Sequence, residues 1–335
     1  MMIKKIVATL TLLVLSLISI SSVYADENLS SYSVSPQYSM HQSKDVENFF
    51  DIKWTPSDKE NFSVKITNNT DKEQTYKIEV NKARTNKNGI VDYSDNAPEA
   101  KNAKYKLTEM IDISKEVKVP ANSSENVSGS LTFPKEDFNG LLMAGIHVSE
   151  KKTKDSEYNV SNSVAYNIPF VVRGNNDQRP KPILNLSKVK VEQFSSDTYS
   201  LDALLENKGP NLMKEVRFSS EIKSESGKSI LNEDRQLDIT PETLFVYPIK
   251  LPTTIKPGKY TLTLDVEHNK TNKWSFSKTF EVTKQDVKNI KETIPEKRNL
   301  GIVYTTAIVI VIIIILILSR KRELSEYFIS NNRRK

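Results

Sequence analysis

Apolar and polar residues alternate with a period of two through much of residues 60–285. That spacing puts every second side chain on one face of a strand. Phe62, Val64 and Ile66 share a face of one strand, and Tyr76, Ile78 and Val80 share a face of the next. The cluster Asn68-Asn69-Thr70-Asp71-Lys72 between them has turn composition, so an antiparallel pair is expected there. Further strands are expected at residues 116–119, 127–133, 142–148 and 163–172. After a break the pattern resumes at 183–192, 199–206, 215–222, 242–251, 259–267 and 273–282. A short helix fits residues 104–113. Trp54 and Trp274, the only tryptophans, sit in strand-like segments and are expected in the cores.

The break is Gly174-Asn175-Asn176-Asp177-Gln178-Arg179-Pro180-Lys181-Pro182, a run of Gly, Pro and polar residues that reads as a linker. Short alternating strands on either side, separated by polar turns, predict an all-β protein of two tandem Ig-like β-sandwich domains, at 26–173 and 183–283. Residues 284–299 are polar and charged and are expected to form a stalk.

Two apolar segments break the alternation. Lys4 and Lys5 precede an apolar run over residues 6–20, and Val23 and Ala25 follow at the positions of a cleavage site. Residues 1–25 therefore read as a secretory signal peptide. Residues 300–318 carry no charge. As a helix they would extend roughly 28 Å, close to the thickness of a bilayer core. Arg320-Lys321-Arg322 follow at once, which predicts a single transmembrane helix with residues 319–335 in the cytoplasm and the body of the chain outside the cell.

That topology changes the meaning of the charge. The 335 residues carry 48 Lys+Arg and 42 Asp+Glu, a net +6. The leader accounts for +2 and the tail for +4, so the exported part is neutral. The basic balance reports orientation in the membrane and gives no electrostatic case for nucleic acid. The chain has no Cys. An exported protein without disulfides fits a bacterium with a single membrane and an exposed wall.

No catalytic or metal-binding constellation emerges. His41, His147 and His268 are the only histidines and lie far apart in sequence. A phosphate-cradling Gly loop and a Gly-x-Ser-x-Gly elbow are both missing. No cofactor is expected. The many acidic residues leave a wall-acting hydrolase with a carboxylate pair open as an alternative, and a structural or chaperone-like stalk as another.

Four segments carry a family resemblance. They are Tyr32-Ser33-Val34-Ser35-Pro36; Phe49-Phe50-Asp51-Ile52-Lys53; the stretch from Ala83-Arg84-Thr85-Asn86 through Asn88-Gly89 to Asp92-Tyr93; and Phe133-Pro134-Lys135-Glu136-Asp137-Phe138-Asn139-Gly140 ahead of Ala144-Gly145-Ile146. Together they resemble the WxL-interacting proteins of low-GC Gram-positive bacteria. The resemblance implies an N-terminal peptidoglycan-binding domain, a C-terminal host-binding domain and a membrane helix. It also implies peptidoglycan, WxL-domain surface proteins and host extracellular matrix proteins as partners of a cell-surface adhesion scaffold. Thr55-Pro56-Ser57 and Ala144-Gly145 depart from the family pattern at turn or close-packing positions. In the polar 85–93 connection, Asn86, Asn88 and Asp92 are candidates for hydroxyl hydrogen bonds and Tyr93 for stacking on a sugar. A structural role in a hairpin-like loop is the other reading.

Overall fold

The computed structural model describes residues 30–95, 98–101, 103–151, 164–174, 180–195 and 198–292. The expected signal peptide (1–25), transmembrane helix (300–318) and cytoplasmic tail (319–335) lie outside the described residues. No helix among the described residues is long and apolar enough to cross a membrane.

The chain is all-β, arranged as two sandwich-like units. In the first, β1 (Tyr32–Gln37), β3 (Lys59–Asn68), β9 (Ser123–Thr132) and β7 (Ile111–Ile113) form one sheet in the order β1-β3-β9-β7. The second sheet runs β2-β11-β10-β4-β8. It is made of β2 (Phe50–Lys53), β11 (Ala165–Arg173), β10 (Leu141–Glu150), β4 (Gln74–Lys82) and β8 (Glu116–Val119). The inward residues of both sheets close one core, with Phe50, Phe62 and Phe170 clustered at tilted and edge-to-face angles, their ring centres about 5 Å apart. Trp54 packs with Tyr105, Phe133 and Phe138 at one end of it. The helix expected near 104–113 is one turn, α1 (Leu107–Met110), leading directly into β7.

The second unit stacks β12 (Leu184–Ser195), β13 (Thr198–Asn207) and β16 (Thr243–Lys250) on a sheet of order β15-β14-β17-β18. These last are β15 (Ser229–Ile239), β14 (Met213–Ser224), β17 (Gly258–His268) and β18 (Asn272–Val282). Trp274 is half-buried against this core. The segment expected to begin a stalk instead forms α2 (Lys284–Glu292), which buries Val287 and Ile290 on the second core. Those two residues, three apart, share one helix face. A capping box starts the helix: the Thr283 hydroxyl accepts from Asp286 N at 3.1 Å, and the Asp286 carboxylate accepts from Thr283 N at 2.8 Å.

One expected pairing is not formed. Strands β3 and β4 were expected as a hairpin, but they lie in opposite sheets. Both strands bury alternate side chains, and that pattern is the same whether the chain folds back within a sheet or arches across the core. Asn68 makes it an arch. Its buried amide donates to Lys72 O, Val119 O and Pro120 O, and its Oδ1 accepts from Thr70 N and Oγ1. An Asn68→Ala substitution strands several of these groups without water. It should cost about 3 kcal/mol of stability, measured by denaturant unfolding; a loss below about 0.5 kcal/mol, the scale of an ordinary surface change, contradicts this role.

Candidate functional site

The candidate residues sit on a small hairpin, β5 (Arg84–Thr85) and β6 (Val91–Asp92), at the end of β4. Asn86 shapes its tip: Oδ1 accepts from Asn88 N at 2.9 Å and Ile90 N at 3.3 Å. Gly89 completes the turn at φ +82°, a left-handed conformation that glycine takes without strain. Asp92 is bound by Arg84 Nη2 at 2.9 Å and by Ser94 N at 2.9 Å. Burial pushes its carboxyl up, but the Ser94 and Arg84 bonds outweigh this and hold it below the usual range. Tyr93 faces the first domain: a Cβ added to Gly145 would come within 2.6 Å of its Cβ. Burial raises its hydroxyl to about 12. Asn88 is exposed at the tip.

Asn86, Asn88 and Asp92, together with Arg84, line a cleft of about 590 Å³ whose far wall is Leu204 and Leu244 of the second domain. Tyr93 is not part of its lining. The hairpin is therefore seated across a domain junction, a position that the polar sequence around it did not signal.

Thr85 holds it there. Its hydroxyl donates to Asp238 O at 2.9 Å and accepts from Thr240 N at 3.0 Å, while Gly89 O accepts from Asp238 N at 2.8 Å. Leu237 lies so close to Gly89 that an added Cβ would meet its Cγ at 2.6 Å. Lys87 approaches Asp202 at 3.7 Å. Beside the hairpin is a buried ionic cluster. Lys82 Nζ is 2.9 Å from Glu99 Oε2, and the Lys82 side chain is only 2% exposed. Glu242 of the second domain is buried next to this pair, and its Oε2 has no hydrogen-bond partner. Its backbone carbonyl ties the units together by accepting from Ala100 N, while its N–H donates to Gly209 O within the second unit. Burial, opposed by Lys82 and reinforced by Glu99, raises the Glu242 carboxyl to about 7. One sequence signal did exist. Lys82 continues the inward register of Tyr76, Ile78 and Val80, and a lysine on an apolar face marks a buried charge.

Residues 32–150 match the WxL Interacting Protein peptidoglycan binding domain, and residues 155–292 match the WxL Interacting Protein host binding domain. The chain belongs to the WxL-interacting protein family. Both matched domains are binding domains, and their order is that expected from the sequence. The family's host-binding match begins ahead of β11, which by hydrogen bonding is a strand of the first sandwich, paired with β10 and β2. No curated protein matches the chain. Several solved structures resemble it. A chaperone–tip adhesin complex of CFA/I fimbriae biogenesis is 13% identical, with a TM-score of 0.31 over 75% of this chain and 98% of that one. The E. coli chaperone DraB is 15% identical, with a TM-score of 0.26 over 70% and 94%. The Salmonella enterica SafA pilin in complex with the SafB chaperone is 10% identical, with a TM-score of 0.28 over 76% and 97%.

Two predictions follow from the junction of this family member. Thr85→Val keeps the shape of the side chain but leaves Asp238 O and Thr240 N unpaired. It should cost about 2–3 kcal/mol and speed proteolysis at residues 174–182, read by limited digestion. The second concerns pH. Glu242 binds a proton up to about pH 7 when folded and up to 4.5, its ordinary value, when unfolded. Between these values the folded state holds the extra proton, so stability falls as pH rises, by up to about 1.4 kcal/mol per pH unit. This contribution is complete below pH 4.5 and lost above about 7. Thermal unfolding from pH 5 to 8 should show the decline, and Glu242→Gln should flatten it. An equally steep decline in the variant rules Glu242 out as its source.

Proposed function

We propose that this protein is a surface scaffold anchored in the membrane by residues 300–318, holding peptidoglycan through its first domain and presenting its second to a WxL surface protein or a host matrix protein. The observation that carries this reading is the succession of a peptidoglycan-binding and a host-binding family domain on one chain. The uncharged segment 300–318 and the Arg320-Lys321-Arg322 that follow support the anchor. Docking of α2 shortens the tether. Residues 293–299 are all that separate it from the anchor, a reach of at most about 25 Å, where a stalk from residue 284 would reach about 55 Å. The second domain then stands close to the membrane, and the wall polymer it meets is the innermost layer.

For the glycan we propose the 590 Å³ cleft. Amide and carboxylate groups on one wall and Leu244 on the other suit a sugar, which offers hydroxyls along its edge and an apolar face. Asn86 and Asp92 are both bound within the hairpin, and Tyr93 braces it from behind, so Asn88 is the residue freest to contact ligand. The Thr85 bonds favour a second role for the same hairpin, as the clamp between domains.

Cosedimentation with purified sacculi tests the reading. The full-length protein should pellet with them and release no muropeptides. Asn88→Ala should weaken retention about fivefold, the worth of one net hydrogen bond, with the unfolding midpoint unchanged. Unchanged retention excludes the cleft; absence of retention in the unaltered protein excludes peptidoglycan binding; and release of muropeptides points to a hydrolase.

A further inference from the structure

A second and larger cleft, of about 960 Å³, opens where the start of β10 and the end of β11 meet residues 180–182, the β13–β14 connection and the β17–β18 turn. Its charged lining is of one sign. Arg173, Lys181 and Lys214 face it, His268 joins them, and no Asp or Glu is among the described lining residues. Arg173 is already matched, since its Nε and Nη2 grip the buried Asp51 carboxylate at 2.6 Å each. Lys181 and Lys214 are exposed and enter no ion pair among the described residues. Two polar atoms in the same lining are buried without a hydrogen-bond partner, His268 Nδ1 and Asn211 Oδ1. Asn211 is held in place by its Nδ2, which donates to Pro180 O at 2.6 Å. Of the two unpartnered atoms, His268 Nδ1 can donate to an anion, whereas Asn211 Oδ1 is an acceptor and suits a hydroxyl donor of the same ligand.

We propose that this cleft binds the phosphate groups of a phosphodiester polymer. Two ammonium groups that enter no ion pair among the described residues attract an anion and leave a neutral glycan without a counterpart. The planar fork of arginine suits carboxylate and phosphate alike, and that of Arg173, the arginine in the described lining, is already on Asp51. Lysine ammonium groups are point charges with rotatable donors and adapt to tetrahedral phosphate oxygens. The imidazole of His268 adds a donor when its tautomer places the proton on Nδ1. Burial holds His268 below its usual range in the free protein, so an anion seated on it should draw the ring toward protonation. This site is separate from the hairpin cleft and does not depend on glycan binding there.

The test is binding of fluorescently labelled poly(glycerol phosphate) to the full-length protein, with polygalacturonate as a carboxylated polymer of similar charge. Poly(glycerol phosphate) should bind, and weaken as salt screens the charges. Lys181→Ala/Lys214→Ala should lower the affinity about tenfold or more, and Lys181→Arg/Lys214→Arg should keep it. Both side chains are exposed, so neither substitution removes a buried contact. Three results overturn the proposal: no binding of poly(glycerol phosphate), equal binding of polygalacturonate, or equal binding by the alanine variant.

Discussion

The hydroxyl of Thr85 is the contact on which the arrangement of the two domains turns. It bonds in both directions, donating to Asp238 O and accepting from Thr240 N, at the point where β15 ends. Strands β15 and β16 are both edges of their sheets, so their outer backbone groups lack a strand partner. The first domain's hairpin supplies one locally, with Gly89 O taking Asp238 N. The second sandwich is thus finished by a loop of the first. The cleft lined by Asn88 and Leu244 exists because of that seating, since its two walls belong to different domains.

Charge contributes to the same junction in a different way. Apolar contact there is modest: Ala83, Met143 and Val171 form a small buried patch joined by Leu212 of the second domain. Beside it stand Lys82, Glu99 and Glu242, one cation and two carboxylates with little water. Such a cluster adds less net stability than apolar residues of the same volume, because removing charges from water is costly. Its geometry is demanding, however. Glu242 also meets Ala100 through its backbone, and Glu99 forms a bridge with Thr243. A shifted docking would break these bonds and leave the charges unpaired. Weak apolar area with exacting polar contacts favours one register over a range of loosely docked poses.

The strands were largely legible because most bury one face, and burial of one face writes a period of two into the sequence. Expected segments such as 116–119 and 273–282 fall on β8 and β18. Where the signal failed, burial was weak or shared. Strand β15 reads Ser-Ile-Leu-Asn-Glu-Asp-Arg-Gln-Leu-Asp-Ile and, as an edge, buries only Leu237 and Ile239. The pairing of β3 with β4 was misjudged because alternation records which face is inward and not which strand lies alongside. Helix α2 was hidden by its charge, with Val287 and Ile290 as its buried anchors. At the candidate cleft, the polar 85–93 stretch singled out Asn86, Asn88 and Asp92, which line it, and Tyr93, which does not. Thr85, Asp238 and Glu242 were not singled out, because their roles depend on a partner more than 140 residues away in the chain.

This separation has a thermodynamic consequence for binding. A ligand lying between Asn88 and Leu244 touches both domains and therefore binds the docked arrangement better than the undocked one. Linkage makes that preference reciprocal: whatever factor docking adds to the affinity, the ligand adds to docking. The proton on Glu242 acts on the same equilibrium, because its carboxyl is buried only while the domains are together. Occupancy of the cleft and mild acid then favour one state through unrelated contacts. If residues 300–318 anchor the chain as proposed, the second domain, tied to them through α2, is the fixed side of that equilibrium. The first domain, joined to it by residues 174–182 and the hairpin, is the side whose position the wall can set.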